Sequence, residues 1–155
     1  MLDMIKIEKP NLGDVAKIKG LIDVFVKDKD ILPRSSEDIA ERIREFVVAK
    51  EKDNVVATSS LRLYYPYLAE IRTITVDKNY QGRNLGKRLV EFELSEAKAL
   101  GVKQVFALTF KIDFFYKLGF SKIDKKELPL KKIWEDCINC PFFPDCKEES
   151  VLINV

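Results

Sequence analysis

The chain contains no histidine. That absence removes the Ser-His-Asp triad, the imidazole proton shuttle and the commonest nitrogen ligand for metals. Acid–base chemistry therefore falls to carboxylates, to Tyr, Ser or Thr hydroxyls, or to water. Cysteine is scarce, with three residues confined to positions 137–146, and glycine and proline number six each in 155 residues. Neither a disulfide-stapled scaffold nor a low-complexity chain fits those counts. No sign of charge dominates: 27 Lys plus Arg stand against 25 Asp plus Glu, a net +2. That is too little for nucleic-acid binding driven by bulk electrostatics. No apolar run approaches the ~18 residues of a membrane span and no signal-peptide pattern opens the chain, so the expected location is the cytoplasm. What is present, 46% hydrophobic and 34% charged residues, suits one domain over residues 1–155. A domain of that size buries roughly 70% of its unfolded surface and needs no staples.

Met4–Lys9 alternates apolar and charged residues and reads as a strand. Pro10 and Asn11 end it and cap a helix, with Asp14 placed to favour the helix N-terminus. Val15, Ile18, Ile22, Phe25 and Val26 share one face of that helix. After the break at Leu32-Pro33-Arg34-Ser35-Ser36, Ser35 and Asp38 resemble a capping box for a second, short helix. Phe46–Glu51, a Lys52-Asp53-Asn54 turn and Val55–Leu63 read as a hairpin, and Leu68–Val76 as a third β run. A helix follows from Leu85, with Leu85, Leu89, Phe92, Ala99 and Leu100 on one arc and Gly101 as its left-handed cap. Val102–Leu108 is then a strand, Asp113–Leu118 a helix, and Phe120–Ile123 and Val151–Val155 strands. Antiparallel strands followed by a β-α-β-α-β segment predict a mixed α/β fold with one central, mostly antiparallel sheet flanked by helices.

Chemistry concentrates between Glu70 and Leu89. There a strand runs through a loop with two glycines directly into a helix, whose free N–H groups and positive dipole end favour a phosphate. Gly82 and Gly86 would let the backbone approach a pyrophosphate, while Arg83, Lys87 and Arg88 add charge. A solvated basic first turn after an ordinary βα loop would leave the same pattern.

Gln81-Gly82-Arg83-Asn84-Leu85-Gly86, lying between an apolar strand and an amphipathic helix, resembles the acetyl-CoA motif of the GNAT N-acetyltransferases. Asn84 stands where that family has its middle glycine, and Asn tolerates positive φ better than most residues. Phe115-Tyr116-Lys117-Leu118-Gly119-Phe120 resembles the family's late helix-to-strand signature. Leu32-Pro33-Arg34-Ser35, Glu70-Ile71-Arg72, Leu108-Thr109-Phe110, Phe114-Phe115 and the tail Ile133-Trp134-Glu135-Asp136-Cys137-Ile138-Asn139-Cys140-Pro141 are similar to the short amino-acid N-acetyltransferases. These resemble the acetyltransferase domain of N-acetylglutamate synthase without its amino-acid-kinase domain.

The resemblance implies acetyl transfer from acetyl-CoA to the α-amine of glutamate, or of glutamine, by direct attack in a ternary complex, at the entry to arginine biosynthesis. Such attack requires no covalent intermediate. With no histidine, Glu70 is the candidate base, eleven residues before Gln81, where histone acetyltransferases of the superfamily place their catalytic glutamate. An ion pair with a neighbouring Lys or Arg is the alternative role for Glu70. Strand alternation puts Glu70, Arg72, Ile74 and Val76 on one face. By resemblance, the third strand bulges near the thioester, the Ile74 N–H polarises the carbonyl, and the Thr75–Val76 backbone holds the pantetheine arm. The backbone from Gln81 through Gly82, Arg83, Asn84, Leu85 and Gly86 to Lys87 holds the pyrophosphate. The family's general-acid Tyr position is Phe115 here. Thr109, matching a hydroxyl used by the synthases, is the preferred acid, with Tyr116 second. Arg34 corresponds to a carboxylate ligand of the synthases, and Arg72 is the second candidate for an acidic acceptor. Lys131 and Lys132 are further candidates.

Cys137, Cys140 and Cys146, in a loop at about 134–147, have thiol spacing that suits zinc but lack a fourth ligand. An iron–sulfur site, a disulfide or redox pair, and three reduced thiols in a packed loop remain alternatives. Trp134 beside them reads as packing. The expected partners are a small amino-acid substrate, with no nucleic acid and no membrane; a homodimer is compatible with the sequence. The rival readings are another amine as acceptor, an acetyl-CoA sensor without turnover, and a cysteine-mediated interaction module.

Overall fold

In a computed structural model, residues 4–28, 31–129 and 148–155 are described. The polypeptide runs through β1 (Ile5–Glu8), α1 (Val15–Lys27), α2 (Ser36–Glu41), β2 (Phe46–Glu51), β3 (Asn54–Tyr64), β4 (Leu68–Val76), α3 (Leu85–Ala99), β5 (Gln104–Thr109), α4 (Ile112–Lys117), β6 (Ser121–Ile123) and β7 (Glu149–Asn154). The strands form one sheet in the order β1-β2-β3-β4-β5-β7-β6. Every neighbouring pair is antiparallel except β4 with β5.

Period-two side chains divide the core between the two faces of this sheet. Phe46 and Val48 of β2 face Ile18, Ile22 and Ile39 of α1 and α2. Their neighbours Val47 and Ala49 face Leu85 and Leu89 of α3. On β5, Val105 and Ala107 pack with Val90, Ala97 and Phe115, whereas Phe106 joins Tyr64 and Leu128 on the other face. Helices α1 and α2 thus cover one face, and α3 and α4 the opposite one.

Local chemistry explains most boundaries. Asn11 and Asp14 cap each other reciprocally across the 3-10 turn Leu12–Asp14 that leads into α1. Gly101 and Gly119 have positive φ where α3 and α4 end. The expected box at Ser35 is only half realised. The Ser35 hydroxyl accepts from the Asp38 N–H at 3.0 Å, but the Asp38 carboxylate is drawn to two arginines instead. The buried arc of α3 also differs from the expected one. Ala99 and Leu100 are exposed, while Val90, Glu93 and Ala97 are buried. Glu93 had been hidden by its polarity. Among the described residues no helix is long and apolar enough to cross a membrane.

Candidate active site

The parallel pairing of β4 with β5 is short. It covers Leu68 with Gln104, Ala69 with Val105 and Glu70 with Phe106, whereas β4 stays paired with β3 as far as Val76. Past Glu70 the two parallel strands therefore part at their carboxyl ends, the position at which open α/β sheets bind ligands. Continued pairing would have set Thr73 opposite Thr109, so Thr109 stands across the split from the middle of β4.

β4 carries a bulge at that point. Thr58 pairs with Thr75 and Ser60 with Arg72, so one β3 residue opposes both Thr73 and Ile74. Thr73 takes up the extra residue with φ +60°, a conformation that costs a non-glycine residue roughly 1 kcal/mol or more. The bulge corrects the expected alternation. Glu70 and Arg72 lie on the α1–α2 face, but the inserted residue shifts the phase. Ile74 accordingly packs with Ala69 and Ile71, and Val76 with Leu85 and Leu89, on the α3 side.

The loop into α3 is open at the same end. Gly82 has φ +83°, and a side chain there would meet nothing within 4 Å. Asn84 takes the left-handed conformation that the family's glycine would allow. The first bond of the helix runs from the Arg88 N–H to the Asn84 carbonyl, 3.0 Å, so the N–H groups of Leu85, Gly86 and Lys87 point out of its end. Three basic residues divide their roles. Arg83 stacks over the Tyr80 ring at 4.8 Å, whereas Arg88 donates to the Ile5 carbonyl at 3.2 Å and so braces β1. Lys87 is exposed. Gly86 serves packing: a Cβ there would approach the Phe114 ring to 3.2 Å. The Gln81 side chain donates to the Val76 carbonyl, closing the loop onto β4.

On the α1–α2 face the sheet presents a buried polar cluster. Glu70 is 2% exposed and Arg34 6%. The Tyr64 hydroxyl donates to Glu70 Oε1 at 2.9 Å, and Arg72 Nε lies 3.9 Å from the same oxygen. Arg62 is the cross-strand partner of Glu70 and is equally buried. Arg34 reaches in from the loop before α2. Its Nε donates to Asp38 at 2.7 Å, its ring-side face covers Phe46, and Nη1 lies 3.5 Å from Ser60 Oγ and 3.4 Å from Thr73 Oγ1. Its Nη2 is buried without a hydrogen-bond partner. Burial pushes the Arg34 guanidinium below its ordinary value; Asp38 opposes this and the charge of Arg72 adds to it. Burial would raise the Asp38 carboxyl, but the Arg34 bond and the charges of Arg34, Arg42 and Arg72 hold it below the usual carboxylate range. An excess of arginine, with Arg34 Nη2 unsatisfied, is an arrangement that an anionic ligand would complete.

Arg72 thus lies beside Glu70, and Arg34 reaches the same face of the sheet within electrostatic range of Arg72. Thr109 is buried at the end of β5, where its hydroxyl accepts from the Lys111 N–H at 2.7 Å, leaving its own proton available to donate. Tyr116 is exposed and within electrostatic reach of Lys122 on β6, so α4 turns it toward the sheet edge. Phe115, not Tyr116, points into the core, between Phe114 and Phe120. Tyr64, Arg62, Asp38 and Thr73 were missed. The first two were findable, since the β3–β4 pairing is symmetric about Pro66 and sets Arg62 beside Glu70, with Tyr64 diagonal to it. Cys137, Cys140, Cys146, Trp134, Lys131 and Lys132 lie outside the described residues. Among the described residues no group of His, Cys, Asp and Glu could hold a metal ion.

The sequence profile of the Acetyltransferase (GNAT) family matches residues 19–120. A Chlorobaculum tepidum protein named as an uncharacterized N-acetyltransferase is 34% identical over 94% of this chain and 94% of its own length. A Mycobacterium tuberculosis protein named amino-acid acetyltransferase is 31% identical over 84% of this chain and 76% of its own. Among solved structures, N-acetylglutamate synthase from Neisseria gonorrhoeae, complexed with coenzyme A and N-acetyl-glutamate, superposes with a TM-score of 0.88 at 22% identity. That likeness is one of fold, and this chain spans 36% of the length of that synthase. A Mycobacterium tuberculosis protein in complex with CoA and a second ligand superposes with a TM-score of 0.81 at 28% identity, covering 97% of this chain and 99% of the other.

Proposed function

The chain belongs to the GNAT acetyltransferase family, and from that premise we propose that it transfers the acetyl group of acetyl-CoA to the α-amine of L-glutamate in the cytoplasm. The observation that carries the acceptor is the buried Arg34 Nη2, without a partner, within electrostatic reach of Arg72, whose Nε lies 3.9 Å from Glu70. A dicarboxylate supplies the anion that this nitrogen lacks, and a second carboxylate for Arg72. The coenzyme A found in related structures supports acetyl-CoA as co-substrate, its pyrophosphate on the N–H groups from Gln81 to Lys87.

In the reaction Glu70 removes a proton from the acceptor ammonium, directly or through water. The freed amine attacks the thioester carbonyl carbon, whose oxygen is polarised by the Ile74 N–H at the bulge. A C–N bond forms and the C–S bond breaks; the leaving thiolate takes its proton from the Thr109 hydroxyl, which recovers one from the nitrogen of the attacking amine directly or through water. Amide and free thiol are the products.

A panel of free amino acids, assayed by release of coenzyme A thiol from acetyl-CoA, tests this reading. Glutamate is expected to give the highest kcat/KM, with glutamine next. Preference for an acceptor with a neutral or basic side chain would overturn the assignment of glutamate. Binding of acetyl-CoA without turnover on any amine would point to a sensor.

A further inference from the structure

Tyr64 belongs to an apolar cluster in which its ring needs no hydroxyl. The ring lies 5.7 Å from that of Phe106, tilted by 40°, and packs with Leu128, Leu68 and Leu152. The guanidinium of Arg62 covers it at 5.1 Å. A Phe would fill this space equally well. The hydroxyl instead donates to Glu70 Oε1, both residues being almost fully buried.

We infer that Tyr64 is a positioning residue for Glu70: its phenol fixes one carboxylate oxygen on the acceptor side of β4 and keeps the carboxylate aimed at the acceptor ammonium. The inference rests on the proposed role of Glu70 as base and assigns that site a residue outside the acetyl-CoA and acceptor contacts. Burial, with the negative charge of Glu70 adding to it, pushes the phenol well above its ordinary value. Tyr64 therefore remains a donor throughout the pH range in which an α-amine loses its proton. A buried glutamate on a strand has three rotatable side-chain bonds, and a charge-assisted donor at one oxygen removes that freedom while favouring the ionised form.

The test compares Tyr64→Phe, Glu70→Gln and the double variant, with kcat, both KM values and the pH–kcat profile measured for each. For Tyr64→Phe, kcat is expected to fall roughly 5–30-fold while both KM values stay within about twofold. The acid limb of the profile is expected to move up by roughly half to one pH unit. The limb position does not depend on how much of the variant folds, so a loss of stability cannot imitate it. In the Glu70→Gln background, Tyr64→Phe is expected to change the residual rate by less than about twofold, because the group through which it acts is already gone. An unmoved acid limb with unchanged kcat would overturn the positioning role while leaving Glu70 as base. Equal losses from Tyr64→Phe with and without Glu70 would do the same. Wild-type turnover in Glu70→Gln would overturn both.

Discussion

Arg34 Nη1 lies 3.4 Å from Thr73 Oγ1, so the loop before α2 touches the residue whose left-handed backbone makes the bulge in β4. The contact links the proposed acceptor ligand to the backbone that would hold the thioester. Asp38 fixes the other side of the same guanidinium, leaving Nη2 as the nitrogen without a partner. Four consequences can be measured.

Arg34→Ala removes a charge-assisted bond of about 1.5–3 kcal/mol, which predicts a glutamate KM raised roughly 10–150-fold with the acetyl-CoA KM little changed. Glutamine shares the α-carboxylate, so assaying both acceptors shows which group Arg34 reads. A proportional loss assigns it to the α-carboxylate, and a loss confined to glutamate assigns it to the side chain. Unchanged kinetics with both would detach Arg34 from the acceptor.

Glu70→Gln keeps shape and removes the base. We expect kcat to fall about 10²–10⁴-fold with acetyl-CoA binding nearly intact, and the deficit to shrink at high pH where the free amine needs no base. A pH–rate profile superimposable on that of the wild type would place the base elsewhere.

The two glycines of the α3 loop should separate. Gly82→Ala places a side chain at φ +83° in open space, so the loop shifts and the acetyl-CoA KM rises while the acceptor KM holds. Gly86→Val presses on Phe114, and its main cost is stability. Thermal melts of Gly86→Val, Phe114→Ala and the pair should show the double variant losing less than the sum, because truncating the ring restores the space. Additive losses would remove Phe114 as the reason for the glycine.

Glu93 is fully buried on α3, accepts from the Ser59 hydroxyl and has a second oxygen without a partner. Burial raises its carboxyl well above the ordinary value; the Ser59 bond and Lys9 oppose the shift, and Glu96 and Glu45 add to it. Because the folded-state value is the higher one, this group favours the fold most below the unfolded carboxyl range, and the contribution is lost as pH rises through the folded value. Glu93→Gln should therefore gain stability relative to wild type as pH increases from 4 to 8, by roughly 2–4 °C in Tm per kcal/mol regained. A Tm difference independent of pH would show that Glu93 keeps the same charge in both states.

Hydrophobic period and local caps make much of this protein legible in its sequence. Leu68–Val76 was read at its true limits, and Gly101 at its left-handed cap. Those features depend on neighbours along the chain: alternation of apolar residues, a missing Cβ, a side chain bonding a backbone N–H three positions on. The loop at Gln81–Lys87 was legible for the same reason, since a strand, two glycines and a helix start are contiguous.

Tertiary structure decided the rest. A bulge depends on the register of two strands, and Thr73 is not a residue whose type announces positive φ, so the shift of Ile74 and Val76 to the α3 face could not be read from β4 alone. The partner of buried Glu93 is Ser59 of β3, and Arg88 is oriented by a carbonyl of β1. Placing Arg34, Arg62, Arg72 and Glu70 on one face of the sheet required a loop, two strands and the helix bearing Asp38 to meet there. Residue type and spacing along the chain determine which groups carry protons and charge. Pairing between distant segments determines which of them share a low-dielectric face, and so which can act on one ligand.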